Sequence, residues 1–160
     1  MSILGDYHQK FIRALIDSGV RYLIVGGFAA IYYGVRRGTG DLDVLVDPTP
    51  ENGARLLSAF KALQLEVDEV SADEFSGPLF LGIGFEPDAV DIFTFSPAIN
   101  FEEALRNSVL IKEGDLELNL ISLDDLIRNK EHLNRGGEKQ KLDEYDLEVL
   151  RRIRSQTKTG

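Results

Sequence analysis

Two aspartates one residue apart, Asp41 and Asp43, lie in the stretch RGTGDLDVLVD that spans residues 37–47. Read as a strand from Asp41 to Asp47, the segment alternates: Asp41, Asp43, Leu45 and Asp47 share one face, and Leu42, Val44 and Val46 share the other. The apolar set belongs in a core, and the two aspartates then stand side by side with α-carbons about 6.6 Å apart. Carboxylates at about 5 Å repel by roughly 3 kcal/mol at an effective dielectric of 20, so a chain that keeps both ionised has reason to supply a cation. Magnesium suits the pair, because this hard ion takes one or two carboxylates and shares its other positions with water and phosphate oxygens. The bland alternative is an edge strand whose alternating aspartates face water and discourage edge pairing.

Two further features bear on that choice. Gly26-Gly27 follows the short apolar run 21–25 and precedes a short helical segment, 28–33, closed by Gly34. Glycine at such a turn lets backbone N–H groups approach a ligand, and the helix start favours an anion, a geometry that can cradle a triphosphate. Asp91 alternates with Val90 and Ile92 in the run 89–95 and therefore projects from an apolar strand. If that strand lies beside the one carrying Asp41 and Asp43, three carboxylates can hold two magnesium ions about 3.5–4 Å apart, an arrangement that activates a hydroxyl and steadies a departing pyrophosphate. Glu86 and Asp88 are rival third carboxylates, but both fall in the Glu86-Pro87-Asp88 turn, where solvation is the default.

The elements needed to position these residues are legible in outline. Phe11, Leu15 and Ile16 recur at helical spacing before the Ser18-Gly19 stop, and Arg21 to Val25 reads as a short buried strand. Residues 36–40 form a glycine-punctuated loop, and Pro48 and Pro50 separate the aspartate strand from a helix over 51–63. Residues 65–70 are expected to be a third strand. The segments 79–85 and 89–95 form a hairpin, a helical turn or two follows at 101–106, and 109–112 with 116–121 bracket a second hairpin. Two helices close the chain, near 122–133 and 138–153, the first opened by a Ser122/Asp125 capping-box pattern. This mixture predicts an α+β fold: a mixed β-sheet flanked by helices, with C-terminal helices.

Composition narrows the chemistry. At 160 residues and 43% hydrophobic, the chain is sized for one domain, with a core at about 20–121 and a helical segment at about 122–155. With no cysteine there is no disulfide scaffold, zinc ribbon, iron–sulfur ligation or thiol nucleophile, and a reducing cytoplasm fits. The longest near-apolar stretch, 22–35, is too short and too glycine-broken to span a membrane, so no membrane partner is expected. Net charge is −9, but residues 1–127 hold 9 basic and 21 acidic side chains, net −12, and 128–160 hold 9 and 6, net +3. An acidic body argues against broad phosphate-backbone binding, while the basic end either faces an anionic ligand or is a solvated helix. Residues 155–160 read as a frayed polar tail. His8 and His132 have no clustered partners, and Gly82-Ile83-Gly84 fails as a dinucleotide fingerprint because Pro87 takes the third glycine position.

The order of parts, Gly-Gly after a strand, a short helix, Arg-x-Thr-x-Asp-x-Asp, and a later Asp in an apolar strand, resembles the nucleotidyltransferase superfamily that includes DNA polymerase beta. Within it, VGGFAAIYYGVRRGTGDLDVLV looks like the small bacterial enzymes related to the AbiEii toxins and to lincosamide nucleotidyltransferases. The resemblance implies Gly26 and Gly27 at the nucleotide phosphates, Asp41 and Asp43 as metal ligands, and Asp91 as third carboxylate and general base. Arg37 would neutralise triphosphate charge and Thr39 would donate to it, against a reading in which Thr39 only shapes the turn and Arg37 is exposed. A weaker likeness in the C-terminal helices, through Lys130, Lys141, Asp143 and Asp146, adds Lys130 and Lys141 as nucleotide-binding residues, with ordinary exposed lysines as the alternative. Two departures stand out: many members have Gly-Ser where this chain has Gly26-Gly27, and related sequences often have His at the position of Tyr33.

The function implied is magnesium-dependent transfer of a nucleoside monophosphate from an NTP to a hydroxyl of RNA, a protein or a small molecule. A toxin–antitoxin setting with a cognate partner protein follows from family likeness alone. The competing expectation is a nucleotide-binding or antitoxin-like module of the same fold that has lost turnover.

Overall fold

The computed structural model describes residues 3–67 and 69–159. Helix α1, Asp6–Asp17, buries Phe11, Ile12 and Leu15 and ends where Ser18 and Gly19 turn the chain into strand β1, Tyr22–Val25. All four residues of β1 are buried, as expected of a strand covered on both faces. Helix α2, Gly26–Tyr33, begins at Gly26 itself, so the glycine pair forms its first turn rather than a spacer before it. It buries Gly27, Phe28, Ala29 and Ala30 and stops at Gly34, whose φ of 125° suits glycine and whose bare α-carbon faces Ile153.

Strand β2, Asp41–Val46, follows the loop and leads through Thr49, whose hydroxyl caps Asn52 N–H, into helix α3, Pro50–Ala62. A short 3₁₀ turn, Ala72–Ser76, then precedes strands β3, Phe80–Ile83, and β4, Ala89–Phe93. Helix α4, Phe101–Asn107, the hairpin of β5, Val109–Glu113, and β6, Leu116–Leu120, and helices α5, Leu123–Glu131, and α6, Gly137–Thr159, complete the chain.

The six strands form one mixed sheet in the order β3-β4-β2-β1-β6-β5. β2 runs antiparallel to β1 and parallel to β4, and β3 is the outermost strand on that side. Leu42, Val44 and Val46 are fully buried, as alternation predicts. Leu45 is buried as well, so the opposite face is uncovered only around Asp41 and Asp43. Because β2 is interior, the edge-strand reading of its aspartates does not hold.

Three sequence expectations are corrected. Residues 65–70 are not a strand: Gln64 and Glu69 take positive φ, which interrupts an extended run, while Leu65, Val67 and Val70 still pack on the core; Asp68 lies outside the described residues. The tail expected at 155–160 is helical, since α6 runs to Thr159; Gly160 lies outside the described residues. Only half of the expected capping box forms. Ser122 Oγ accepts from Asp125 N–H, but the shorter Asp125 carboxylate turns to Arg128 and Asn107.

Candidate active site

Strand register assembles the carboxylates. Asp43 pairs with Val25 on one side and with Asp91 on the other, and Asp91 pairs with Gly82, so one row crosses four strands. Asp41 stands two residues before Asp43 on the same face, opposite Ala89. The carboxylates of Asp41, Asp43 and Asp91 accept no hydrogen bond and form no ion pair among the described residues. Burial raises the Asp43 pKa to about 7, reinforced by the charges of Asp91 and Asp41 and opposed by Arg135 and Lys130. Asp91 is raised by burial and then by Asp41, against Lys139.

This cluster fits a divalent cation. Three unpartnered carboxylates repel one another at short range, and the cheapest relief is positive charge between them. Among the described residues no three His, Asp or Glu side chains are gathered tightly enough to grip one ion by themselves. Magnesium needs no closed protein cage, because water and phosphate oxygens complete its shell.

Gly26 closes the row at its inner end. Its φ is 67°, and a Cβ there would sit 1.9 Å from Asp43 Oδ2, so both backbone shape and space exclude a side chain. A Cβ on Gly27 would lie 2.9 Å from both the Arg37 guanidinium and the Thr39 hydroxyl, which occupy the volume that a Gly-Ser sequence would fill. Thr39 Oγ1 donates to the Asp41 carbonyl at 3.2 Å, so this hydroxyl shapes the loop leading into β2.

The opposite wall is a chain of ions. Arg37 donates through Nε and Nη2 to the two Asp146 oxygens, each at 2.9 Å, and through Nη1 to the Gly38 carbonyl. Lys130 lies 3.0 Å from Asp146 and 3.4 Å from Asp143, and Arg135 grips Asp143 through Nε at 2.8 Å and Nη2 at 2.6 Å. Burial pushes Asp146 up, but hydrogen bonds from Arg37 and Lys130 outweigh it and hold the carboxyl below its ordinary value. Arg135 is raised, first by its hydrogen bonds to Asp143.

Between these walls lies a cleft of about 600 Å³. It is lined by Gly26, Gly27, Arg37, Thr39, Asp41, Asp43, Asp91 and Lys130, which the sequence singled out together. Lys141 is not among them: it is exposed and borders, with Tyr145, an adjoining shallow depression that shares Lys139 and Leu142 with the cleft. Glu86, assigned to solvent from sequence, reaches the cleft beside Gly40. Sequence reasoning missed Arg135 and Lys139, and also the ring of Phe80 stacked on Phe93 (centroids 6.5 Å apart, planes at 13°) beside Asp91. Tyr33, at the position of the expected His, lies outside the cleft and donates to the Ile121 carbonyl at 2.6 Å; burial pushes its hydroxyl up to about 12.

No family model and no curated protein matches this chain by sequence. Solved structures do match by shape. The lincosamide antibiotic adenylyltransferase LnuA, solved with lincomycin bound, superposes with a TM-score of 0.57 at 13% identity, over 96% of this chain and 99% of that one. An antigenic nucleotidyltransferase-like protein from Paracoccidioides brasiliensis gives 0.56 at 17% identity, over 94% and 77%.

This is the nucleotidyltransferase fold. The antibiotic-resistance factor ANT(2'')-Ia, solved with adenylyl-2''-tobramycin, shares it with a TM-score of 0.51 at 15% identity, over 94% of this chain and 96% of that one. On this nucleotidyltransferase fold the carboxylate row, the glycine turn and the ionic wall all open into one cleft.

Proposed function

We propose that this chain, acting as one unit over residues 1–160, is a magnesium-dependent nucleotidyltransferase that moves a nucleoside monophosphate from an NTP to a hydroxyl acceptor. The observation that carries the reading is the register of Asp43 directly against Asp91, with Asp41 on the same face and the bare α-carbon of Gly26 against Asp43. Asp41, Asp43 and Asp91 would hold the metal, which when bound neutralises phosphate charge and lowers the pKa of the attacking hydroxyl. Gly26 and Gly27, in the first turn of α2, would offer their amides to phosphate oxygens, which the start of a helix favours. Asp91, the carboxylate that the neighbouring strand sets against Asp43, would take the acceptor proton. The acceptor oxygen bonds to the α-phosphorus as the bridge to the β-phosphate breaks, and pyrophosphate leaves.

The acceptor class is RNA, protein or small molecule. The antibiotic adenylyltransferases of the same fold favour the last, and a toxin–antitoxin setting with a partner protein favours the first two. A cytoplasmic location would supply the donor from the cellular NTP pool. A non-catalytic module is the weaker reading, because a chain released from turnover has no reason to keep three mutually repelling carboxylates.

Thermal unfolding with ATP, GTP, CTP and UTP, with and without magnesium, tests the proposal. Wild type gains stability with one or more nucleotides only when magnesium is present, by about 2.7 kcal/mol at a hundredfold excess over Kd, and Asp43→Asn loses the gain. No shift with any nucleotide supports instead an antitoxin-like module that does not bind nucleotide.

A further inference from the structure

Four cationic side chains line the cleft: Arg37, Lys130, Arg135 and Lys139. They are not equally free to meet a ligand. All three nitrogens of Arg37 donate to protein oxygens, and its side chain is 14% exposed. Lys130 is 2% exposed and lies between Asp143 and Asp146. Removing either cation from its carboxylates would leave a buried charge uncompensated, which is costly.

Arg135 and Lys139 differ on each count. Arg135 is 39% exposed, and its two bonds to Asp143 use Nε and Nη2, leaving Nη1 uncommitted. Three cations share two carboxylates along the wall, so one positive charge is in excess, and Arg135 is the exposed end of that chain. Lys139 is exposed and forms no ion pair among the described residues. Both come from one short stretch, the α5–α6 connection and the first turn of α6. Both line the same cleft as Asp41, Asp43 and Asp91.

We infer that Arg135 and Lys139 form the anion clamp of the cleft, contacting the phosphates of the donor and of departing pyrophosphate, while Arg37 and Lys130 build the wall that holds Arg135 in place. This rests on the nucleotidyl-transfer reading and adds to its glycine amides two side-chain phosphate contacts that the sequence pattern did not indicate. A guanidinium with a free edge suits phosphate oxygens, and fixing its other edge on Asp143 removes much of the ordering cost of the contact.

The test is calorimetric titration of the full chain with two probes, Mg-pyrophosphate and Mg-ATP. Lys139→Ala and Arg135→Ala should each weaken both probes by about 10-fold or more, the usual loss for a charge-assisted hydrogen bond, and Lys139→Glu should weaken them further. Arg152→Ala, an exposed cation on the same helix that pairs with Glu148, makes the same change in net charge and should stay within about twofold of wild type. Should Arg135→Ala unfold because Asp143 loses a partner, the two Lys139 variants, in an exposed first turn, carry the test. Wild-type affinity in both Lys139 variants overturns the clamp and leaves the transfer reading standing. A wild-type protein that binds neither probe with magnesium overturns the transfer reading and the clamp with it.

Discussion

Arg37 and Asp146, 109 residues apart in sequence, meet through two parallel N–H···O bonds of 2.9 Å that tie the loop before the carboxylate strand to the last helix. Asp146 is fully buried, and Lys130 is its second partner. The C-terminal helix is thereby fastened to the loop that sets Asp41.

Asp146→Ala should therefore cost about 3–5 kcal/mol in urea unfolding, the range for removing one partner of a buried ion pair. The pH dependence has a definite sign. A carboxyl held below its ordinary value in the folded state contributes stability above its unfolded pKa, and that contribution is lost as pH falls through the folded value. The wild-type and Asp146→Ala stabilities should accordingly converge in acid; a constant difference down to the acid transition would rule out the ion pair as its source.

Asp43 has the opposite sign. Its folded pKa of about 7 lies above the unfolded value, so the charged form costs stability, with the cost absent in acid and complete above about pH 7. Asp43→Asn should raise the Tm of the metal-free protein at pH 8 by at least about 2 °C, roughly 1 kcal/mol for a domain of this size. The gain should shrink as pH is lowered through 7 toward 5. A lower Tm at pH 8 would instead make the Asp43 carboxylate a structural group.

Glycines at the two ends of the carboxylate row should behave differently. Gly26→Ala places a Cβ 1.9 Å from Asp43 Oδ2 at a positive φ, and should destabilise the fold by about 1–3 kcal/mol and abolish the magnesium-dependent nucleotide shift. At Gly82 the nearest atom to a new Cβ is 3.6 Å away, an ordinary contact, and an extended strand accepts alanine. Gly82→Ala should unfold within about 0.5 kcal/mol of wild type. Equal penalties at both positions would count against the close approach at Gly26.

Tyr33→Phe removes one hydrogen bond to the Ile121 carbonyl and should cost about 1 kcal/mol in thermal or urea unfolding. Nucleotide-dependent stabilisation should be unchanged. A lost nucleotide response with stability intact would return Tyr33 to the substrate side.

Much of the candidate site is readable from local pattern. The two-residue period of a strand places Asp41 with Asp43, and the apolar neighbours of Asp91 mark it as a residue needing a reason. What the pattern lacks is adjacency: that β4 pairs with β2 in parallel, with Asp91 against Asp43, depends on the route through α3 and β3. The lysines show the same limit on a finer scale. Lys139 and Lys141 are two residues apart, about 200° around a helix, and Lys139 lines the cleft while Lys141 reaches no further than the depression beside it. Asp143 and Asp146, three apart on α6, look like solvated charges until Arg37, from the other end of the chain, is brought against them. The strand expected at 65–70 had the right residue types, and two left-handed residues at 64 and 69 decided otherwise.

The row that begins at Val25, beside Gly26, ends at Gly82, on the outermost strand of the sheet. Among the described residues no strand lies past Gly82, and within 4 Å a Cβ added there would meet the Asp91 carboxylate and the Phe80 ring. The carboxylates themselves stand on the interior strands β2 and β4, one strand in from that edge, and Phe80 of the edge strand lines the cleft beside them. An acceptor approaching from this side meets a single strand before it meets the reacting groups, so a search for the acceptor should include polymers as well as drugs.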